Sequence, residues 1–304
     1  MNRPARLALV ALICAMLAAC GTSPTRERTR GTSPAASGTQ SAPDDFHDDV
    51  GLPQARRYRQ QNDSTPDGAG IDIASMPEPV PKAEPRARYG NKSPYNVRGR
   101  TYRVLPTAAG YDERGIASYY GSKFHGYMTS DFEKYDMYAF SAASKVLPLP
   151  SYARVTNLEN GKSVIVRIND RGPFAENRII DLSYAAAVRI GIWPKGTGLV
   201  EVQGIDPARG NAEPPPPITV TAQEGGAPRL YLQVGAFGDP ANAERLAARL
   251  RDQDVGAVRV VDAQVGGRNL KRVQIGPLVD ADAADRATEK IEALGLPHAQ
   301  VAVQ

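Results

Sequence analysis

The sequence predicts a multidomain chain: a small all-β barrel over residues 95–205, then an α+β sandwich over 229–304, both behind a long N-terminal tether. Three observations predict it. Short alternating strands broken by turns fill the first span, and a repeated strand–helix–strand unit fills the second. The stretches 20–94 and 206–228 are rich in Pro, Ser, Gly and charged residues and carry no sustained apolar periodicity.

At the N-terminus, Arg3 and Arg6 precede the apolar run Leu7 to Leu17, and small residues follow in Leu17-Ala18-Ala19-Cys20. This is the layout of a signal peptide over residues 1–19, too short to make a good spanning helix. Leu-Ala-Ala-Cys resembles the bacterial lipobox, which implies that Cys20 is the first mature residue and carries a lipid anchor. Gly21, in place of Asp, implies by the same resemblance export to the outer membrane. The chain has two cysteines, and Cys14 lies in the apolar run. Once that run is removed, neither an intramolecular disulfide nor a thiolate metal site can form. Residues 20–94 then read as a tether, and at ~3.5 Å per extended residue it can carry a domain far from its anchor.

Within 95–205, Ala153 to Leu158 and Ser163 to Ile168 form a predicted hairpin around Asn160-Gly161. The second strand runs on through Val164 to Asp170 into Arg171-Gly172-Pro173, which leaves the chain no regular structure to continue into. A carboxylate between Arg167 and Arg171 is therefore expected at a strand end. It reads either as a structural turn clamp or as an acid presented for chemistry, and a tight arginine pair would lower its pKa and work against acid catalysis. Ser183 caps a predicted helix to Ile190, with Gly191 just past its end. Trp193, the single tryptophan, reads as a packing residue rather than a sugar platform.

Residues 206–228, with Pro214 to Pro217 and Gly225-Gly226, read as a spacer. Beyond them Leu232 to Phe237 recurs as Val273 to Leu278, each copy ahead of a helical stretch, Ala241 to Leu250 and Ala281 to Leu294. With Ala257 to Val261 and Ala299 to Val303 the order is βαβ–βαβ, a sheet covered on one face by two helices. Gln233 is expected on the open face as a polar contact, with Tyr231 or Phe237 as apolar surface. Strand alternation alone also allows these aromatics to be core.

The ordered segments Gly115 to Gly121, Lys123 to Gly126, Glu133 to Met137, Leu147 to Leu158, Val164 to Phe174 and Ile179 to Ser183 closely resemble the rare lipoprotein A (RlpA) family. Its members are septal peptidoglycan lytic transglycosylases with a double-psi β-barrel. The C-terminal repeat, with Gln233-Val234-Gly235-Ala236-Phe237, resembles the SPOR domain, which binds septal glycan strands stripped of stem peptides. The resemblance implies a lyase that forms 1,6-anhydro ends and needs no cofactor, with Asp170 and Glu133 as its functional acids. A family histidine falls on Ser144, in Ser141-Ala142-Ala143-Ser144-Lys145, and the family's Asn-Gly before the glutamate is replaced by Asp131-Phe132. Serine cannot carry imidazolium charge, and Asp131 would tend to raise the pKa of Glu133.

A lytic transglycosylase needs a carboxylic acid to protonate the glycosidic oxygen, and the sugar's own C6 hydroxyl then attacks, so one acid is enough. The Ser144 replacement keeps a second reading open: a septal lipoprotein of the same architecture that binds and organises glycan without cleaving it. The three histidines, His47, His125 and His298, show no metal-ligand spacing, so no metal site is expected. His125 reads as structural or as a support for the acid. The net charge of +4 makes a mild case for an anionic partner but does not by itself justify nucleic acid, and the C-terminal domain lacks the aromatic run of an RNA-binding sheet. Expected partners are peptidoglycan glycan strands, the membrane through the lipid anchor, and divisome proteins. The expected location is the periplasmic face of the outer membrane, enriched at the septum.

Overall fold

The computed structural model describes residues 48, 51–52, 54–58, 62–65, 72–207 and 227–304. The signal peptide, Cys20, His47 and most of the linker 206–228 lie outside these. Among the described residues no helix is long and apolar enough to cross a membrane.

A one-turn helix α1 (Gln54–Arg57) and a 3-10 turn (Ile73–Ser75) precede a small hairpin of β1 (Tyr95–Val97) and β2 (Arg100–Tyr102). The barrel follows: β3 (Asp112–Tyr120), β4 (Ser141–Ser144), β5 (Ser151–Asn157), β6 (Ser163–Asp170), β7 (Arg178–Ser183), helix α2 (Tyr184–Arg189) and β8 (Gly198–Ile205). It closes in the order β3-β7-β4-β6-β5-β8. Two pairs, β3 with β7 and β4 with β6, run parallel and the others antiparallel, as a double-psi barrel requires. The interior is filled by β-branched and aliphatic side chains, Val155, Val164, Val166, Ile168, Leu182 and Val200, all removed from solvent. The expected hairpin is β5–β6, with Gly161 at φ 72° in its turn. Ser183 Oγ accepts the Ala186 N–H at 3.3 Å and so starts α2 as its N-cap. Trp193 packs edge-on against Tyr184.

The second domain comprises β9 (Leu230–Phe237), α3 (Pro240–Arg251), β10 (Val258–Val265), β11 (Arg268–Leu278), α4 (Ala281–Ala293) and β12 (Gln300–Val303). Its antiparallel sheet runs β10-β11-β9-β12, and Leu232, Val273, Ile275, Ala247, Leu250, Ala284 and Ile291 make its core under the two helices. Asp239 and Asp280 cap α3 and α4 through their carboxylates.

One part of the N-terminal stretch differs from the tether expected over 20–94. Residues 72–94 lie along the barrel, with Ile73 buried in its core, Met76 packed against it, and polar side chains holding the stretch elsewhere. Asn91 bridges both backbone groups of Leu149, at 2.9 and 2.6 Å, and Glu78 accepts the Ile165 N–H at 3.1 Å. Glu84 accepts Nε and Nη2 of Arg167, each at 3.1 Å. Further upstream, Asp63 accepts the Gly121 and Lys123 N–H groups at 2.7 and 3.0 Å.

Candidate active site

Asp170 closes β6, Asp181 lies within β7, and both line one open cleft of about 440 Å³. Tyr120, Phe124, Ser130, Phe132 and Phe174 contribute to its walls, together with Arg57 and Tyr58 from the N-terminal stretch. Arg57 is fixed there by Asp48 and by the Met128 carbonyl.

Asp170 Oδ1 accepts three hydrogen bonds, from Ser130 N–H at 2.8 Å, Ser130 Oγ at 2.5 Å and its neighbour Arg171 N–H at 2.7 Å. Burial raises its pKa, and those donors together with the Arg171 charge pull against the rise. The arginine clamp that the sequence leaves open is not made. Arg171 turns its guanidinium to the carbonyls of Gly90, Ser144 and Leu147, at 2.7, 2.9 and 2.5 Å, and burial lowers its pKa to about 10. Arg167 instead forks between Glu84 and Glu133.

Asp181 is the cleft carboxylate that sequence reasoning did not single out. Burial pushes its pKa up to about 6, Asp170 adds to the rise, and the Ser118 hydroxyl donated to Oδ1 and the charges of Arg178 and Lys145 oppose it. The available signal was a lone carboxylate inside the apolar run Ile179-Ile180-Asp181-Leu182, since a charge in a buried strand is rare without a task.

The other expected site residues separate from this pair. Glu133 stands on the loop beside the cleft, but its Oε2 takes Arg167 Nη1 and Asn169 Nδ2, and it is not among the cleft-lining residues. Ser144 is buried, and its Oγ accepts the N–H groups of Val146 and Leu147 at 3.3 and 3.1 Å, a turn-holding role away from the cleft. On Asp131, burial is the main cause of a raised pKa. His125 accepts the Met137 N–H at 3.1 Å, which is structural. His298 meets Glu292 and Glu176, but the Arg100 guanidinium bonds to all three and already supplies the cation there.

In the second domain Gln233 is half-buried on the sheet face away from the helices, opposite Gln274 and Gln300. Tyr231 is buried, with the Arg259 guanidinium 3.5 Å from its ring centroid, so it offers no open apolar surface. Arg259 also donates to Gln274 Oε1 at 3.0 and 2.8 Å. Phe237 is a correction: it packs on the helix side, where a Cβ on Gly235 would meet its ring at 2.7 Å and Leu246 at 3.5 Å.

A family model described as lytic transglycolase matches residues 112–203, and a SPOR domain model matches 226–302. The chain is 38% identical over 275 residues to the endolytic peptidoglycan transglycosylase RlpA of Pseudomonas aeruginosa, covering 74% of this chain and 80% of that protein. To the protein of the same name from Vibrio cholerae it is 39% identical over 239 residues, covering 79% and 86%. The crystal structure of the RlpA SPOR domain from Pseudomonas aeruginosa is 34% identical over 24% of this chain and 96% of that one, with a TM-score of 0.23. On the extent and level of the sequence matches to both domains, this chain belongs to the RlpA family of endolytic peptidoglycan transglycosylases.

Proposed function

We propose that this chain cleaves peptidoglycan glycan strands by lytic transglycosylation, with Asp181 as proton donor and Asp170 as the carboxylate that faces developing positive charge. One observation carries the assignment. Two carboxyls share one cleft in unlike surroundings, and that is how a pair divides into acid and anion. Asp181, pushed up to about 6, holds its proton closer to neutral pH, while the three donors on Asp170 favour its charged form.

The proton on Asp181 passes to the glycosidic oxygen as the C1–O bond breaks. The sugar's C6 hydroxyl then attacks C1, closing the 1,6-anhydro ring, and its proton returns to Asp181. Asp170 stabilises the oxocarbenium-like transition state electrostatically and forms no bond. The proton balance closes without a water or an enzyme nucleophile.

The finer reading is a lipoprotein anchored through Cys20 at the outer membrane, acting on stem-peptide-free strands at the division septum. The C-terminal sheet face that carries Gln233 and Arg259, with buried Gln274 holding Arg259 in place beneath them, would hold such strands. Cleavage is favoured over binding alone because Ser144, the replaced histidine position, holds a turn and does not line the cleft. The experiment is a digest of peptide-free glycan strands analysed by mass for 1,6-anhydro ends. Wild-type protein should form them, and Asp170→Asn and Asp181→Asn should each lose about 10²–10⁴ in rate. Absence of anhydro ends with wild-type protein would leave the glycan-binding reading in place.

A further inference from the structure

The described exposed large hydrophobic residues are Leu52, Val80, Tyr89, Phe132, Trp193, Val265 and Val279, and of these only Tyr89 and Phe132 pack ring against ring, their planes tilted by 36°. Their ring centroids are 4.3 Å apart, the residues are 46% and 48% exposed, and Phe132 lines the cleft that contains Asp170 and Asp181. The Arg88 guanidinium lies 5.5 Å from the Tyr89 centroid and further fixes that ring.

Phe132 sits at φ 68°, a left-handed conformation that glycine adopts freely and phenylalanine does not. The turn it occupies is held by backbone and Thr129 contacts: Phe132 N–H to the Thr129 carbonyl at 3.0 Å, and Thr129 Oγ1 to Asp131 and to the Glu133 carbonyl. Glycine would serve that turn at least as well, so the fold gives no reason for an exposed aromatic ring there. Strain kept at an exposed site points to function.

The pair is also tied to the acid. Ser130, two residues before Phe132, gives Asp170 Oδ1 two of its three hydrogen bonds. Gly90, next to Tyr89, accepts Arg171 Nε at 2.7 Å and packs so closely on the Ser130 carbonyl that a Cβ there would approach it to 2.8 Å. A sugar held on this pair is therefore held in register with the carboxylate.

We infer that Tyr89 and Phe132 form a stacking platform at the lip of the cleft that takes the apolar face of an N-acetylhexosamine ring of the glycan strand, one or more sugars from the bond that breaks. A pyranose offers a flat array of C–H groups that an open aromatic face accepts, as it accepts a nucleic-acid base. The inference rests on the proposed glycan substrate and adds a subsite to it.

The test uses the full chain labelled with 4-fluorophenylalanine. Its six phenylalanines give six fluorine resonances, and that of Phe132 is identified by its absence in Phe132→Gly. Peptide-free glycan strands are titrated into the Asp181→Asn background, where no turnover is needed. The Phe132 resonance should shift and saturate, and in otherwise wild-type protein Phe132→Gly and Tyr89→Ala should each raise KM about tenfold with kcat within about twofold. Phe132→Gly should not lower Tm, because glycine relaxes the strained φ. A Phe132 resonance that stays still while glycan saturates the protein would overturn the platform, as would an unchanged KM in both variants. So would a resonance that moves with protein concentration alone, which would mark a protein contact. Loss of cleavage in wild-type protein alongside a saturable Phe132 shift would instead sink the proposed reaction and leave the platform standing.

Discussion

Arg178 of β7 and Asp285 of α4 form a two-pronged ion pair between the barrel and the C-terminal domain, Nη2 to Oδ2 at 2.9 Å and Nη1 to Oδ1 at 3.2 Å. Asn177 adds bonds to Asp285 and Thr288 at 2.8 and 3.0 Å. Arg178 is buried, and Asp285 is its charged partner. The same guanidinium acts on Asp181, three residues on, so domain docking and the candidate acid share one cation.

Asp285→Ala should therefore loosen the two domains. The Asp285 side chain is one-third exposed, so the loss is expected at about 1–2 kcal/mol, below the ~3–5 of a fully buried pair. Calorimetry should resolve two transitions where wild type gives one, and small-angle scattering should give a larger radius of gyration. A single transition at the wild-type temperature, with unchanged scattering, would show that the pair does not hold the domains together.

Asp181 sets opposed demands on stability and activity. Its folded pKa of about 6 lies above the unfolded value of about 3.9, so the stability it contributes is full below about pH 4 and is lost as pH rises through about 6. The difference of about two units is on the order of 3 kcal/mol. Asp181→Asn keeps an acceptor for Ser118 and removes the buried charge. Its Tm should exceed wild type at pH 7.5 and match it at pH 4, while cleavage is lost. Wild-type cleavage should fall as pH rises above about 6. A variant less stable than wild type at pH 7.5 would count against a buried, proton-holding carboxyl.

The Asn160-Gly161 turn, the Ser183 cap and the repeated βαβ unit are local signals, and the barrel and sheet follow from them. Asp170 was legible because a turn follows its strand at once. Phe237 was not: between Gln233 and Gly235 the β9–β11 register slips by one, so alternation carried past Val234 assigns the wrong face. By composition residues 72–94 read as tether, yet Asn91, Glu84 and Glu78 bind the barrel one polar group at a time, which no periodicity displays. Ser144 shows the reverse limit, since a motif position names a residue without saying which way its side chain turns.

That placement of Ser144 makes a prediction about stability instead of rate. Ser144→Ala deprives the N–H groups of Val146 and Leu147 of their acceptor in a buried turn, and each unsatisfied group costs about 1–3 kcal/mol before relaxation. Denaturant unfolding should show a loss of at least about 1 kcal/mol, with kcat within about twofold of wild type. A large fall in kcat with unchanged unfolding would return Ser144 to the reaction.

The last prediction concerns the N-terminal stretch as a wall of the cleft. Gly121 follows β3 directly, and a Cβ there would come within 2.2 Å of the Ser64 carbonyl and 3.1 Å of Asp63 Oδ1. Both atoms belong to residues 62–65, so Gly121→Ala strikes that segment and leaves the barrel strands unopposed. Displacing it would also break the Asp63 bonds to Gly121 and Lys123 and release the stretch that carries Arg57 and Tyr58 into the cleft. Brief trypsin treatment should then cut after Arg56 or Arg57 in the variant well before it does in wild type. KM should rise several-fold with kcat largely kept, because the wall positions substrate while Asp170 and Asp181 remain in place. Equal cleavage by trypsin and equal KM would mean that Arg57, Tyr58 and residues 62–65 are not held against the barrel in solution.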